Sequence, residues 1–202
     1  MLQGRGERVH VYLSMVGDLH VFAFEGTTSW KDRSSFAEWL IDADGHPVPS
    51  PDEAYGFVHH GFLQDVLSVA DPICDYLSGL GWPRYLLTGH SKGASEATGM
   101  HAEMMRRGHG PVATRAFEPA RFGGRKFRDY LRTEDYRWTR TWNVHGPDLV
   151  TTVPWGMQGP SLDSWSHVND PIMLQVPDGY DLPTKHRIAA VLEALSFSQS
   201  AC

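Results

Sequence analysis

Residues 85–95 read YLLTGHSKGAS. A short apolar run ends in a glycine, and Ser91 stands between Gly89 and Gly93. RYLLTG has the look of a brief strand. SKGASEATGMHAEMMRRG has the look of a helix that closes on basic residues and a glycine. The pattern G-x-S-x-G is short enough to arise by chance, so its setting carries the weight. Strand, then motif, then helix is the setting of a nucleophile elbow. The serine there must occupy a sharp, strained turn so that Oγ projects above a sheet. A side chain at either glycine would collide with a neighbouring strand or helix. The helix start also aims unpaired N–H groups and a positive dipole end at any oxyanion formed there.

Outward from this stretch, the chain alternates. VHVYLSMVGDLHVFAFEG reads as two strands joined at Val16-Gly17-Asp18, a hairpin. SSFAEWLIDADG suggests a short amphipathic helix, and HPVPSPDEAYG a loop rich in proline. In VHHGFLQDVLSVADPICDYLSGLG, Phe62, Val66, Val69, Ile73 and Leu77 recur at helical spacing. Asp71-Pro72 leaves open two helices or one kinked one. After the elbow helix come a strand (VATRAFE), a helix (GGRKFRDYLRT), a strand (RWTRTWNV), a last strand (IMLQVP) and a closing helix (TKHRIAAVLEALSF). Alternation of this kind predicts an α/β fold with a mostly parallel central sheet and helices on both faces.

Composition agrees with one domain over residues 1–202. Hydrophobic residues are 41% and charged residues 21%, an ordinary globular balance. The net charge is −6, and no basic run exceeds two residues, which argues against a nucleic-acid partner. Arg106-Arg107 closes a predicted helix, where the macrodipole accounts for it. Cys74 lies in an apolar-periodic stretch, so a buried free thiol is expected rather than a bridge to Cys202. The opening MLQGRGERVH has no apolar leader core, and no run reaches the length of a transmembrane span. The cytoplasm is the expected compartment. His59-His60 lacks companions at zinc-site spacing, so no metal and no cofactor is expected.

An elbow serine needs an acid and then a histidine, later in the chain. Asp148, in NVHGPDLVTTVP, follows a predicted strand and so leaves the sheet edge where Ser91 sits. His186 lies between the last strand and the last helix. His167, in DSWSHVNDP, is the rival base, and His145 is too near Asp148 to be an attractive partner. With 11 histidines in the chain, position alone must choose.

Taken in order, these segments resemble the class 3 lipase family of α/β-hydrolases over nearly the whole chain. VFAFEGTTSW resembles the family's strand and oxyanion turn, and VHHGFLQDVL its VHxGF helix start. LLTGHSKGAS resembles its GHSLGGA elbow, FEPARFGG its FGxPRVGN, and NVHGPDLVTTVP its NxxDxVPxLP. SWSHVND is similar to the GYxH that follows. The resemblance implies Ser91 as nucleophile, Asp148 as acid and His186 as base, with His167 matching a histidine not used as the base. It implies an oxyanion hole from the N–H groups of Thr27 and Lys92. Residues 28–41 occupy the place of the family's lid, with Trp30, Phe36, Trp39 and Leu40 facing the site or a lipid surface; an ordinary surface helix is the other reading.

The departures carry information too. Only 26 residues precede Thr27, so the family's N-terminal elements are expected to be missing or much reduced. Glu25, Lys92 and Glu118 stand where the family usually has arginine, leucine and glycine. A lysine beside the elbow needs a partner, and an ion pair from Lys92 to Glu25, or failing that to Glu118, is expected to brace the oxyanion hole. The expected activity is hydrolysis of carboxylic esters, lipid-like or short-chain, with transient contact to a lipid interface. A phospholipase or acyltransferase with the same triad, or an inactive lipid- or partner-binding relative, are the alternatives.

Overall fold

The turn at Val16-Gly17-Asp18 forms as expected, because Gly17 supplies the left-handed backbone (φ 61°) that a tight hairpin needs. It joins β2 (His10–Val16) to β3 (Leu19–Phe24), antiparallel from Val16↔Leu19 to Val11↔Phe24. The computed structural model describes residues 2–3, 9–26, 46–111, 113–134, 139–144, 150–152, 154, 165–175 and 186–200. A two-residue β1 (Leu2–Gln3) pairs with β2 at the edge.

From β3 the sheet continues in parallel. β6 (Tyr85–His90), β7 (Ala113–Phe117), β9 (Thr139–Val144) and β11 (Ile172–Leu174) follow one another, giving the order β1-β2-β3-β6-β7-β9-β11. The register aligns Phe24 with Gly89 and Gly89 with Ala116, so three strands end side by side at the elbow.

Among the described residues, four helices pack around this frame. α1 (His60–Gly79) is one helix that runs through Pro72, and Phe62, Val66, Val69, Ile73 and Leu77 are all buried along it. α2 (Lys92–Arg106) is buried along nearly its whole length. α3 is Arg125–Glu134 and α4 is Ile188–Ser200. The main core joins α1 and α2 to Phe22, Phe24 and Leu87 of the sheet. A smaller cluster seats Val191 and Ala194 of α4 on Leu174, with Phe117 packed against it.

The sequence reading of 46–56 as a plain loop is corrected. Strands β4 (Pro47–Pro49), β5 (Phe57–His59), β8 (Gly123–Gly124) and β10 (Trp165–Ser166) form a second sheet, ordered β10-β8-β5-β4. Two prolines in three residues argue against a strand, but β4 lies at the sheet edge, where a missing N–H is tolerated. Arg106-Arg107 also does more than meet the helix dipole. Both guanidiniums grip the fully buried Glu103, Arg106 by way of Oε1 and Oε2 at 2.8 Å and Arg107 by way of Oε1 at 2.7 Å. Those bonds outweigh burial and hold the Glu103 carboxyl below its ordinary range. Cys74 is a free thiol as expected, half-buried beside the Met104 sulfur; Cys202 lies outside the described residues.

Candidate active site

Ser91 sits at φ 57°, ψ −124°, a left-handed region that non-glycine residues seldom enter. The turn is built from its neighbours. A Cβ at Gly89 would overlap the Gly93 carbonyl, and one at Gly93 would overlap the Phe24 carbonyl at the end of β3. The two glycines therefore let α2 start directly against β6 and β3. Ser91 N–H donates to the Phe117 carbonyl at 2.9 Å, which ties the turn to β7. Although Ser91 is the N-cap of α2, its hydroxyl makes no capping bond.

That hydroxyl faces a histidine instead. His186 Nε2 lies 2.9 Å from Ser91 Oγ, across 95 residues of chain. Both residues are buried. His186 is placed just before α4, so the closing helix delivers the imidazole to the elbow. The other ring nitrogen, Nδ1, lies 3.4 Å from Glu118 Oε2, and the same oxygen lies 3.1 Å from His90 Nε2. The His90 and His186 rings are 4.9 Å apart between centroids. With a carboxylate facing Nδ1, the favoured tautomer carries its proton on Nδ1 and leaves Nε2 to accept the serine proton. His90, Glu118 and His186 also offer ligand atoms within 4.8 Å of one another, a spacing a metal ion can use. In this arrangement His90 Nε2 is already hydrogen-bonded to Glu118 Oε2.

On the other side of Ser91, Lys92 does not follow the expectation. Its ammonium pairs with Asp65 of α1 at 2.8 Å and with Glu96, one turn along α2, at 3.0 Å. The pair expected with Glu25 or Glu118 is replaced by these two. Glu25 holds His10 at 2.7 Å and the Tyr12 hydroxyl at 3.0 Å. Burial opposes the charge on Lys92, yet Glu96 and Asp65 together hold the ammonium above its ordinary value. Burial pushes the fully buried Glu96 carboxyl well above the carboxylate range, against the pull of Lys92. The Glu96 carboxyl thus shares the Lys92 ammonium with Asp65.

A family profile described as lipase (class 3) matches residues 21–157, more than half of the chain. The chain belongs to the class 3 lipase family. Solved structures with the same architecture include the triacylglyceride lipase of Rhizomucor miehei, 18% identical over 87% of this chain and 64% of that one, with a TM-score of 0.63. The mono- and diacylglycerol lipase of Aspergillus oryzae is 18% identical over 82% of this chain and 57% of that one, TM-score 0.64. A fungal lipase described for an unusual buried polar cluster is 20% identical over 91% and 65%, TM-score 0.67. At these identities the likeness shows the fold, which is that of the α/β-hydrolases. The chain spans 54% to 65% of the length of such lipases. No curated protein matches it.

Of the class 3 lipase positions predicted from sequence, Ser91 and His186 are brought together. Lys92 opens α2 immediately after the serine, and Gly26, which precedes Thr27, abuts the His90 carbonyl. Thr27, Asp148 and the lid residues Trp30, Phe36, Trp39 and Leu40 lie outside the described residues, as does His145. The rival histidine is engaged elsewhere: His167 Nε2 donates to the Thr151 carbonyl at 2.6 Å. Burial lowers its pKa from the ordinary 6.5, with Arg121 adding to the fall and the Thr151 bond opposing it.

The placement of Glu118 beside the base, and the use of Asp65 and Glu96 by Lys92, were missed. For Lys92 a signal existed. Glu96 is four residues along the same helix, and Asp65 interrupts the apolar stripe of α1 between Phe62 and Val69. Among the described residues, no helix is long and apolar enough to cross a membrane.

Proposed function

We propose that the chain is a serine hydrolase that cleaves carboxylic esters. One observation carries the reading: Ser91 Oγ, held on a strained turn at a helix N-terminus, lies 2.9 Å from His186 Nε2. Membership of the class 3 lipase family supports it. So do the activities named for solved relatives of the same fold, which are a triacylglyceride lipase and a mono- and diacylglycerol lipase.

In this reading His186 Nε2 takes the proton from Ser91 as Oγ attacks the ester carbonyl carbon. The Oγ–C bond forms, the carbonyl oxygen becomes an oxyanion, and the N–H groups of Thr27 and Lys92 receive it. The C–O bond to the alcohol breaks, and His186 returns the proton to the departing oxygen. Water then attacks the acyl-serine while His186 again takes a proton, and the acid leaves as Ser91 regains its hydrogen. The resemblance gives Asp148 the role of orienting the imidazole. Substrates are lipid-like or short-chain esters met at a transient lipid interface, with residues 28–41 as the covering segment.

The decisive experiment is Ser91→Ala, assayed by fluorophosphonate labelling and by hydrolysis of p-nitrophenyl esters of rising chain length. Both activities should vanish, with the melting temperature kept or raised because the strained position loses no packing partner. Hydrolysis retained by the purified variant would remove the elbow reading. A wild-type protein that is folded but unlabelled would make it a binding relative.

A further inference from the structure

We infer that Glu118 is a positioning residue for the base: its carboxylate accepts the Nδ1–H of His186, and His90 holds that carboxylate in place. The inference rests on the proposed ester hydrolysis and adds a residue that family membership does not supply. The family pattern has glycine at this position.

Ser91 Oγ, His186 Nε2, His186 Nδ1 and Glu118 Oε2 follow one another, with gaps of 2.9 Å at the serine and 3.4 Å at the carboxylate. A base flanked in this way has its tautomer fixed and its positive charge, once formed, faced by a negative one. The approach at Nδ1 is longer than a tight hydrogen bond. Catalytic contacts of this kind commonly shorten only when substrate is bound.

Glu118 is fully buried, and a buried carboxylate is costly unless hydrogen-bonded or paired. The cation nearest in sequence to the nucleophile is committed elsewhere, with the Lys92 ammonium on Asp65 and Glu96. Two imidazoles approach Glu118, and one of them is the base. A carboxylate in this place faces an imidazolium with a negative charge.

Glu118 directly follows β7 and sits at φ 51°, a region in which glycine is free of strain and glutamate is not. The glycine of the family pattern would fit this conformation better. The chain instead carries a side chain that reaches the two histidines, and backbone strain of this sort gathers where the side chain serves a site. His90 completes the arrangement. As the residue between Gly89 and Ser91 it is fixed by the elbow itself, and its Nε2–H, donated to Oε2, sets where the carboxylate lies.

The backbone also supplies the test. Glu118→Gly removes the carboxylate and relieves the strained φ, which offsets part of the cost of the space it leaves. Its melting temperature, kcat and KM on a soluble p-nitrophenyl ester are compared with those of Glu118→Gln, Glu118→Asp, Asp148→Asn and Ser91→Ala. Both Glu118→Gly and Glu118→Gln should lose kcat by about 10²–10⁴-fold, the scale on which loss of an orienting carboxylate acts, with KM kept. Glu118→Asp should recover part of the loss. Added sodium formate should raise kcat for Glu118→Gly by supplying a carboxylate to the vacated space, and should do nothing for Ser91→Ala.

A kcat near that of the parent in Glu118→Gly and Glu118→Gln, with Ser91→Ala inactive and Asp148→Asn impaired, would overturn the inference and leave the ester-hydrolase reading intact. A loss shared in full by Glu118→Asp and unmoved by formate would also overturn it, by assigning Glu118 to packing. Hydrolysis retained by Ser91→Ala would instead overturn the hydrolase reading itself.

Discussion

Ser91 is flanked by His90 and Lys92, and the two side chains leave the turn for different buried clusters. His90 meets Glu118, whose carboxylate also approaches His186 and through it the serine hydroxyl. Lys92 meets Asp65 and Glu96, between α1 and α2. Both clusters are polar, both are buried, and each includes a carboxylate with no exposed surface, Glu118 in one and Glu96 in the other. They differ in what they can pass on. The histidine cluster can take up and release a proton beside a nucleophile. The lysine cluster joins one ammonium to two acids and ties two helices together. Two residues apart in sequence, the elbow thus divides chemistry from anchoring, and substitutions should separate activity from stability along the same line.

The largest effect should come from the base. His186→Ala is expected to lower kcat/KM by about 10⁴-fold or more, since nucleophile and base act as a unit. His167→Ala should lose far less, because its ring is bonded to the Thr151 carbonyl. Steady-state kinetics on one soluble ester decide the point. If His167→Ala proves the more damaging, the histidine cluster has been assigned the wrong base.

The lysine cluster should show the reverse pattern. Lys92→Met removes the cation from between Asp65 and Glu96, and the cost should exceed the ~0–1 kcal/mol of an exposed pair and approach the ~3–5 kcal/mol of a broken buried one. Because Lys92 contributes to the proposed oxyanion hole through its backbone N–H, activity per folded molecule should fall only modestly. Urea unfolding of Lys92→Met and of Asp65→Asn/Lys92→Met measures the first quantity, and the double variant should recover part of the loss. A stable Lys92→Met with collapsed kcat would erase the division between the clusters.

How far the sequence reached follows the same division. Local geometry was legible: the hairpin at Gly17, the elbow between Gly89 and Gly93, and the apolar stripe from Phe62 to Leu77 each follow from short-range rules of sterics or periodicity. Loop position and the family pattern favoured His186 over His167, and His186 Nε2 lies 2.9 Å from Ser91 Oγ. Partner choice among buried charges was legible only in part. Lys92 was given Glu25 or Glu118 as its partner; Glu96, four residues along its own helix, was overlooked, and Asp65 is brought in only by the packing of α1 on α2. Glu118 was noticed as a departure from glycine, but its direction depends on a positive φ at the end of β7 that a glutamate does not advertise. The second sheet was hidden for a different reason. Pro47, Pro49, Gly123 and Gly124 are poor strand formers, so their pairing follows from tertiary context rather than from local propensity.

The smallest expected effect sharpens the comparison most finely, because it concerns one proton in the lysine cluster. Burial raises the Glu96 carboxyl well above the ordinary carboxylate range. The folded protein therefore holds a proton there that the unfolded chain releases at lower pH. The sign follows: the stability associated with that proton is fully present below the unfolded carboxyl value, near pH 4.5, and is lost as pH rises through the folded one. Glu96→Gln keeps the shape and stays neutral, while Lys92 retains Asp65 at 2.8 Å. The variant should thus gain on the parent as pH rises, with the difference in unfolding free energy growing by at most about 1.4 kcal/mol per pH unit across the window. Urea midpoints at pH 5 and pH 8 for the two proteins give that difference directly. Glu118 lies in the other cluster, so the kcat of Glu96→Gln should stay close to the parent's at both values. Parallel stability curves would mean that Glu96 is ionised in the folded protein throughout, and that Lys92 neutralises two carboxylates at once rather than one carboxylate and a carboxylic acid.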